Sequence, residues 1–311
     1  MRRLLLVLLL LAAILASARP PEPTVDRNVV FGMYSGLALL MDVYRPAVSN
    51  GGGIVAIQGS GWYSPLRYDA APISARSGVI AYAQHLAQAG YTVFVINHRA
   101  APRFRFPAPL EDAQRAVRFV RAHAAEWRID PLRIGAFGSS SGGHLSELLG
   151  TLDDAGNGES SHPVERESAK VRAVVALFAP ADMIRQAQTS KRDAHVALMG
   201  FEYVDPAGRP PGSVRADESE NVEYRRASPI TWVSADDAPM LLMHGDADEV
   251  VVFEQSELMA AALRNAGVPN KLIRVPGGRH GENFQLEPGD PRLPDQYGEA
   301  VNWFNAYLKA K

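Results

Sequence analysis

Residues 134–146 place a serine where it could act as a nucleophile. Residues 138–142 read Gly-Ser-Ser-Ser-Gly and fit the pattern Gly-x-Ser-x-Gly, with Ser140 at the centre. A short apolar run of strand type precedes the pattern and a run of helix type follows it. In that context a serine hydroxyl is held above the end of a sheet. The turn is tight, so small residues are required two positions before and after the serine, and Gly138 and Gly142 supply them. We therefore predict that Ser140 attacks a carbonyl carbon.

A serine hydroxyl is a poor nucleophile at neutral pH, so it requires a base and an acid that orients the base. In sheets of this kind the acid and then the histidine follow the serine, each in a loop after a later strand. His280 follows the last predicted strand and has glycines on both sides, so we predict that it is the base. His144 and His244 are expected to be packed and hydrogen-bonded. His162 and His195 lie in polar stretches and are expected to be exposed.

The acid should lie in residues 244–250, which follow the penultimate predicted strand and read His-Gly-Asp-Ala-Asp-Glu-Val. Three carboxylates compete there, and at least one of them must form the turn. Asp248 lies where the loop should turn towards His280, which favours it as the acid, and Asp246 remains the alternative.

The composition is that of a globular protein. The chain has 311 residues, a formal charge of -2, 47% hydrophobic residues and no cysteine. This length suits one large α/β domain or two small ones. The near-neutral charge gives no indication of nucleic-acid binding. Without cysteine, disulfides, a thiolate nucleophile and a cysteine metal site are excluded.

Residues 1–18 have the features of a signal peptide. Two arginines precede an apolar run at residues 4–15, and residues 16–18 read Ala-Ser-Ala, which fits the cleavage rule. The run is short for a membrane-spanning helix, which needs roughly 20 residues. We expect cleavage after Ala18, a secreted or periplasmic protein and no stable membrane anchor. An uncleaved anchor is the alternative.

Strand-type and helix-type segments alternate along the chain, which predicts an α/β fold with a mostly parallel, doubly wound sheet. An antiparallel hairpin is expected at residues 29–44. A helix is expected at residues 107–127, with Asp112 on its exposed face. Residues 181–237 are polar and contain prolines, so we interpret them as a small cap-like insertion in one domain that spans residues 19–311.

Four stretches of the sequence carry a resemblance to a known family. They are residues 58–62, residues 97–102 with 106–107 and 111–112, the serine pattern, and residues 244–248 with His280. With these motifs the chain resembles an α/β-hydrolase of the esterase group, which includes hormone-sensitive-lipase-like carboxylesterases, bacterial acetylxylan and feruloyl esterases, and kynurenine formamidases. The resemblance spans residues 31–308. It implies that Asp248 is the acid and His280 the base.

One motif departs from the family. The family usually has His-Gly-Gly-Gly where main-chain N–H groups bind the oxyanion, whereas residues 58–61 here read Gln-Gly-Ser-Gly. The resemblance implies that the N–H groups of Ser60, Gly61 and Ser141 form the oxyanion hole. A side chain at Ser60 restricts backbone angles that glycine allows.

The resemblance implies the hydrolysis of carboxylic esters, such as acetyl or aryl esters of plant-derived sugars, through an acyl-enzyme. Residues 181–237 carry many charges and few contiguous apolar residues, so we expect short acyl chains. The expected partner is a small-molecule ester, and no metal or cofactor is required. Trp62 and Tyr63 are candidates for the wall of the acyl pocket, although a tryptophan packed in the core is the alternative. An arylformamidase or small peptidase would use the same triad, and a non-catalytic binding protein on this fold is a further alternative.

Overall fold

The computed structural model describes residues 22–191, 193–203 and 218–309. Eight strands form one sheet in the order β1-β2-β4-β3-β5-β6-β7-β8. The strands are β1 (Thr24–Tyr34), β2 (Leu37–Arg45), β3 (Gly53–Ile57), β4 (Thr92–Ile96), β5 (Ile134–Ser139), β6 (Val174–Leu177), β7 (Met240–Gly245) and β8 (Asn270–Val275). Only the pairs β1–β2 and β2–β4 are antiparallel. The predicted α/β fold, with its mostly parallel sheet and N-terminal hairpin, is confirmed.

Helices connect the strands and flank the sheet. They are α1 (Ser77–Gln88), α2 (Ala108–Ala122), α3 (Ala124–Trp127), α4 (Ser141–Thr151), α5 (Met183–Thr189), α6 (Ala194–Met199), α7 (Glu218–Arg226), α8 (Glu254–Asn265) and α9 (Gln296–Leu308). Among the residues described, no helix is both long and apolar enough to cross a lipid bilayer. The predicted signal peptide, residues 1–18, lies outside the described residues.

The central strands are apolar on both faces because helices cover both sides of the sheet. Every residue of β3 is buried. Val55 and Ile57 join one cluster of buried apolar side chains, whereas Ile54 and Ala56 join the other. Since alternate residues of a strand point to opposite faces, the two clusters lie on opposite sides of the sheet. This arrangement fixes the carboxyl ends of the strands, where the loops that carry the site residues begin.

The helix predicted at residues 107–127 differs from the structure in two ways. It is interrupted at His123 and forms α2 and α3. Asp112 was expected on the exposed face but is buried, where its carboxylate pairs with the Arg99 guanidinium at 2.8 Å. A buried arginine requires a carboxylate partner, and the face of Arg99 also packs over the Tyr34 ring at 3.8 Å. The position of Asp112 is therefore set by Arg99, which helical periodicity does not reveal.

The described parts of residues 181–237, the stretch that we interpret as an insertion, are tied to the rest of the chain by hydrogen bonds. The Gln255 side-chain oxygen accepts bonds from the N–H groups of Ala181 and Asp182 at 2.9 and 2.8 Å. At α6, the Phe106 N–H donates to the Leu198 carbonyl at 2.9 Å. The described part of the insertion consists of short helices, α5 to α7, and the turn Pro229–Trp232.

Candidate active site

Ser140 lies at a sharp turn between β5 and α4, with φ 52° and ψ −123°. A positive φ is strained for a residue with a side chain and persists only where the surroundings impose it. The glycines two positions before and after Ser140 show that close backbone contacts impose this angle. A Cβ atom at Gly138 would lie 2.2 Å from the Gly142 carbonyl oxygen, and one at Gly142 would lie 2.0 Å from that of Ile57. The predicted need for small residues at both positions is confirmed.

The structure brings His280 and Asp248 to this serine. The Nε2 atom of His280 lies 3.0 Å from Ser140 Oγ, and Nδ1 lies 2.6 Å from Asp248 Oδ2. The histidine side chain is 16% exposed and that of Asp248 is 0% exposed. Because a carboxylate can only accept, Nδ1 donates to Asp248 and Nε2 accepts from the serine hydroxyl. This is the arrangement in which an imidazole can take the serine proton.

Asp248 is held as an anion by the groups around it. Its Oδ1 atom accepts bonds from the N–H groups of Val250 and Val251 at 2.8 and 2.9 Å. The Nε2 atom of His244 lies 3.3 Å from Oδ2. Burial alone would raise the pKa of the Asp248 carboxyl. Hydrogen bonds from His244 and His280 outweigh the burial and hold the pKa well below its usual value.

Asp246, the alternative acid, is engaged elsewhere. Its carboxylate accepts the Gly277 N–H at 2.6 Å and pairs with Arg274 at 2.8 Å. These contacts, first the Gly277 N–H and then Arg274, lower the pKa of Asp246. The geometry therefore places Asp248, and not Asp246, against His280.

Gly245 and Gly278 allow the loop that carries Asp248 to contact the loop that carries His280. A Cβ atom at Gly245 would lie 2.2 Å from the Gly278 carbonyl oxygen. The same oxygen accepts the Ala247 N–H at 2.9 Å. The glycine after His244, part of the motif that carried the resemblance, is thus required by a close approach of two backbones.

In the loop at residues 58–61, the expectation that the Ser60 N–H donates to the oxyanion is wrong. Its N–H donates to Ser141 Oγ at 2.8 Å and is already occupied, and the Gly59 N–H donates to Ser139 Oγ at 3.2 Å. Gly61 has φ 65°, and its N–H donates to no described residue. Ser141 is the first residue of α4, where an N–H has no partner within the helix. Gly61 and Ser141 therefore remain as main-chain donors.

Gln58, where the family usually has histidine, acts as a cap for α1. Its side-chain oxygen accepts the Val79 N–H at 2.8 Å, and its amide donates to the Gly59 carbonyl at 3.1 Å. The first residues of a helix have unpaired N–H groups, and the residue before α1, Arg76, provides no side-chain bond to them. The glutamine thus joins the loop to the start of α1.

The two predicted pocket residues differ in exposure. Trp62 is 3% exposed and is packed in the core, which was the alternative for it, although it also borders the cavity. Tyr63 is 43% exposed and lines the cavity.

Of the other histidines, His144 is buried and hydrogen-bonded as predicted. The prediction that His195 is exposed is wrong, because α6 turns it inwards near the Tyr224 ring.

A cavity of about 850 Å³ opens over Ser140 and His280. Part of its lining is apolar and comes from Leu177, Phe178, Pro180, Ala194, Ala197, Val250 and Val251. A second part is polar and comes from the start of α1, the turn after His280 and the start of α9. Hydrogen bonds join its members, with Ser77 donating to Glu282 at 2.5 Å and Gln296 donating to Asn283 at 2.6 Å.

The mostly parallel sheet, with the serine turn after β5 and the histidine turn after β8, is the α/β-hydrolase fold. The chain belongs to the BD-FAE family, whose sequence model matches residues 41–263.

Relatives in sequence and in structure agree with this. The probable carboxylic ester hydrolase LipM of Mycobacterium tuberculosis is 31% identical over 182 residues, which is 58% of this chain and 39% of LipM. A truncated carbohydrate esterase from gut microbiota is 28% identical with a TM-score of 0.70, and 93% of this chain and 98% of that one are covered. An acetyl ester-xyloside bifunctional hydrolase from Caldicellulosiruptor lactoaceticus is 26% identical with a TM-score of 0.72 and the same coverage. The chain spans about half the length of the first curated relatives that it matches.

Proposed function

We propose that the chain is a serine carboxylic-ester hydrolase for short-chain acyl esters, with Ser140, His280 and Asp248 as its catalytic residues. The observation that carries the proposal is the hydrogen-bonded series from Ser140 Oγ through the imidazole to the buried carboxylate, at 3.0 and 2.6 Å. The esterase relatives support ester hydrolysis as the reaction class.

In the proposed mechanism, Ser140 Oγ attacks the ester carbonyl carbon while Nε2 of His280 takes its proton. Asp248 stabilises the imidazolium that forms. The carbonyl oxygen becomes an oxyanion and accepts bonds from the N–H groups of Gly61 and Ser141. The positive end of α4 lies at the same place. The tetrahedral intermediate collapses, and the alcohol leaves with the proton from Nε2.

In deacylation, water takes the place that the alcohol has left. Water enters beside His280, which takes one of its protons as the oxygen attacks the acyl carbon. The carboxylic acid then leaves, and the proton returns to Ser140 Oγ. Every proton in these steps is held by Ser140, His280, the alcohol, water or the carboxylic acid, so no metal or cofactor is required.

The volume and lining of the cavity favour a substrate in which a small acyl group is joined to a larger, polar alcohol. Its volume of about 850 Å³ exceeds what an acetyl group fills, and polar side chains such as Arg76, Glu282 and Asn283 line part of it. Hydroxyl groups of an alcohol would find hydrogen-bond partners there. The names of the two structural relatives, a carbohydrate esterase and an acetyl ester-xyloside bifunctional hydrolase, favour acetyl esters of sugars among these substrates.

The test is Ser140→Ala, assayed by hydrolysis of p-nitrophenyl acetate and by labelling with a fluorophosphonate probe. We expect loss of labelling and a fall in kcat on the order of 10⁶-fold, with an unchanged thermal unfolding midpoint. Ser139→Ala is the matched control and should remain labelled. Retained activity in Ser140→Ala, together with loss in Ser139→Ala or Ser141→Ala, would show that the nucleophile is a different serine.

A further inference from the structure

Trp62 follows Gly61 directly, and both residues have left-handed backbone angles, with φ of 53° and 65°. Glycine adopts such angles readily, but a tryptophan does so only when its surroundings impose them. The carbonyl of Trp62 accepts the Ala101 N–H at 2.8 Å. Its indole N–H donates to Nδ1 of His144 at 3.1 Å, and both side chains are buried.

His144 lies one turn into α4, and its N–H donates to the carbonyl of Ser140 at 2.9 Å. Its Nε2 atom lies 2.6 Å from the carbonyl oxygen of Ala227, in the insertion. A carbonyl can only accept, so Nε2 carries the hydrogen and Nδ1 is free to accept from the indole of Trp62. One tautomer therefore satisfies both contacts. Burial lowers the pKa of His144 to about 4, which keeps the ring neutral at ordinary pH.

We propose that His144 is a positioning residue for the oxyanion hole. Through Trp62 it fixes the main chain at Gly61, and through Ala227 it ties that main chain to the insertion. The inference rests on the proposed function, because it assigns a role at the same site. Nothing places the His144 ring against the substrate, since both ring nitrogens are bonded to other parts of the chain.

The physical reason is that oxyanion donors lower a barrier only when they are already oriented at the developing charge. The Gly61 N–H lies on a left-handed turn, and the indole bond is the side-chain contact that selects this turn at Trp62. Without it the turn can relax, and the donor moves away from the oxyanion. Formation of the acyl-enzyme should then slow, while substrate binding, which depends on the cavity, should change little.

The test breaks the contact from each side. Trp62→Phe keeps an aromatic ring but removes the donor, and His144→Leu removes the acceptor. With p-nitrophenyl acetate we expect each to lower the maximal rate of the acylation burst by roughly 10- to 100-fold, below the cost of deleting a donor outright. The substrate dissociation constant, taken from the dependence of the burst rate on ester concentration, should change by less than about twofold. His144→Asn should recover much of the rate, because its side-chain oxygen can occupy the place of Nδ1. The double variant should be no slower than the slower single variant, because both remove one contact.

Thr151→Val is the matched control. Thr151 is buried on the same helix, and its hydroxyl donates to the carbonyl of Glu147 rather than to the loop. It should lower the unfolding midpoint without slowing acylation. Folded Trp62→Phe and His144→Leu proteins with wild-type burst rates would overturn the inference and leave the proposed function intact. A double variant whose loss of burst rate is the product of the two single losses would also overturn the inference. Failure of the wild-type protein to hydrolyse any ester would instead overturn the proposed function and this inference with it.

Discussion

Three consecutive serines in the turn after β5 have different contacts. Ser140 Oγ faces His280, whereas the hydroxyls of Ser139 and Ser141 accept main-chain N–H groups from the loop at residues 58–61. The sequence identifies Ser140 because its place in Gly-x-Ser-x-Gly is fixed. It does not reveal the contacts of the other two, because a hydroxyl that accepts a main-chain bond from a distant loop leaves no pattern in the sequence. The resemblance implied that the Ser60 N–H is an oxyanion donor, and nothing in the sequence indicates that Ser141 Oγ accepts this N–H.

Asp248 and Asp246 should differ strongly in how much their replacement lowers kcat. Asp248→Asn should lower kcat on the order of 10⁴-fold, since an asparagine cannot stabilise the imidazolium and favours the wrong tautomer. Asp246→Asn should lower it only a few-fold, because Asp246 contacts Arg274 and the Gly277 N–H rather than His280. Both variants should be compared in the same p-nitrophenyl acetate assay, with unfolding midpoints to show that they are folded. The reverse ranking would make Asp246 the acid.

An element is visible in the sequence when its own residues determine it, and is missed when contacts with other elements determine it. The strands β3 to β7 are short apolar runs, because both faces are covered, and such runs are visible in the sequence. The end of α2 at His123 and the burial of Asp112 were missed, since they depend on contacts with other elements. The helix α4 is an extreme case, because all of its residues are buried, including Glu147. Both carboxylate oxygens of Glu147 lack a hydrogen-bond partner among the described residues.

Glu147 should make the stability of the protein depend on pH. Burial raises the pKa of its carboxyl from 4.5 to about 8. Between these values the unfolded chain loses the proton while the folded chain keeps it, so stability falls as pH rises and stays low above the upper value. Glu147→Gln keeps the shape and removes the ionisation. It should therefore raise the free energy of unfolding by on the order of 3 kcal/mol at pH 7, and by little at pH 4.

Denaturant unfolding at both pH values provides the measurement. Glu257→Gln, an exposed position on α8, is the control and should give the same small change at each pH. A gain in Glu147→Gln that is equal at pH 4 and pH 7 would mean that the folded protein does not hold this carboxyl in its neutral form.

At the scale of the whole molecule, the cavity has walls of mixed chemistry. The insertion contributes Gln186 and Asp193 to the lining as well as Ala194 and Ala197. Its α5 is joined to the loop of the acid, since the amide of Gln186 donates to the Val250 carbonyl at 3.0 Å. The described part of the insertion is thus built into the cavity wall, and it does not present a continuous apolar surface there.

This composition predicts a preference for short acyl groups. Each methylene of a longer chain gains about 0.8 kcal/mol only if it is buried against apolar atoms. Here a long chain would also cover polar groups such as Arg76, Glu282 and Gln186, which would lose water without gaining a partner. In a series of p-nitrophenyl esters, kcat/KM should therefore peak at acetate or butyrate and fall steeply by octanoate. Ser140→Ala measured in parallel corrects for spontaneous hydrolysis, which is fastest for the short esters. A maximum at decanoate or beyond, or activation at an oil-water interface, would mean that the cavity binds long chains along its apolar residues and that the enzyme acts as a lipase.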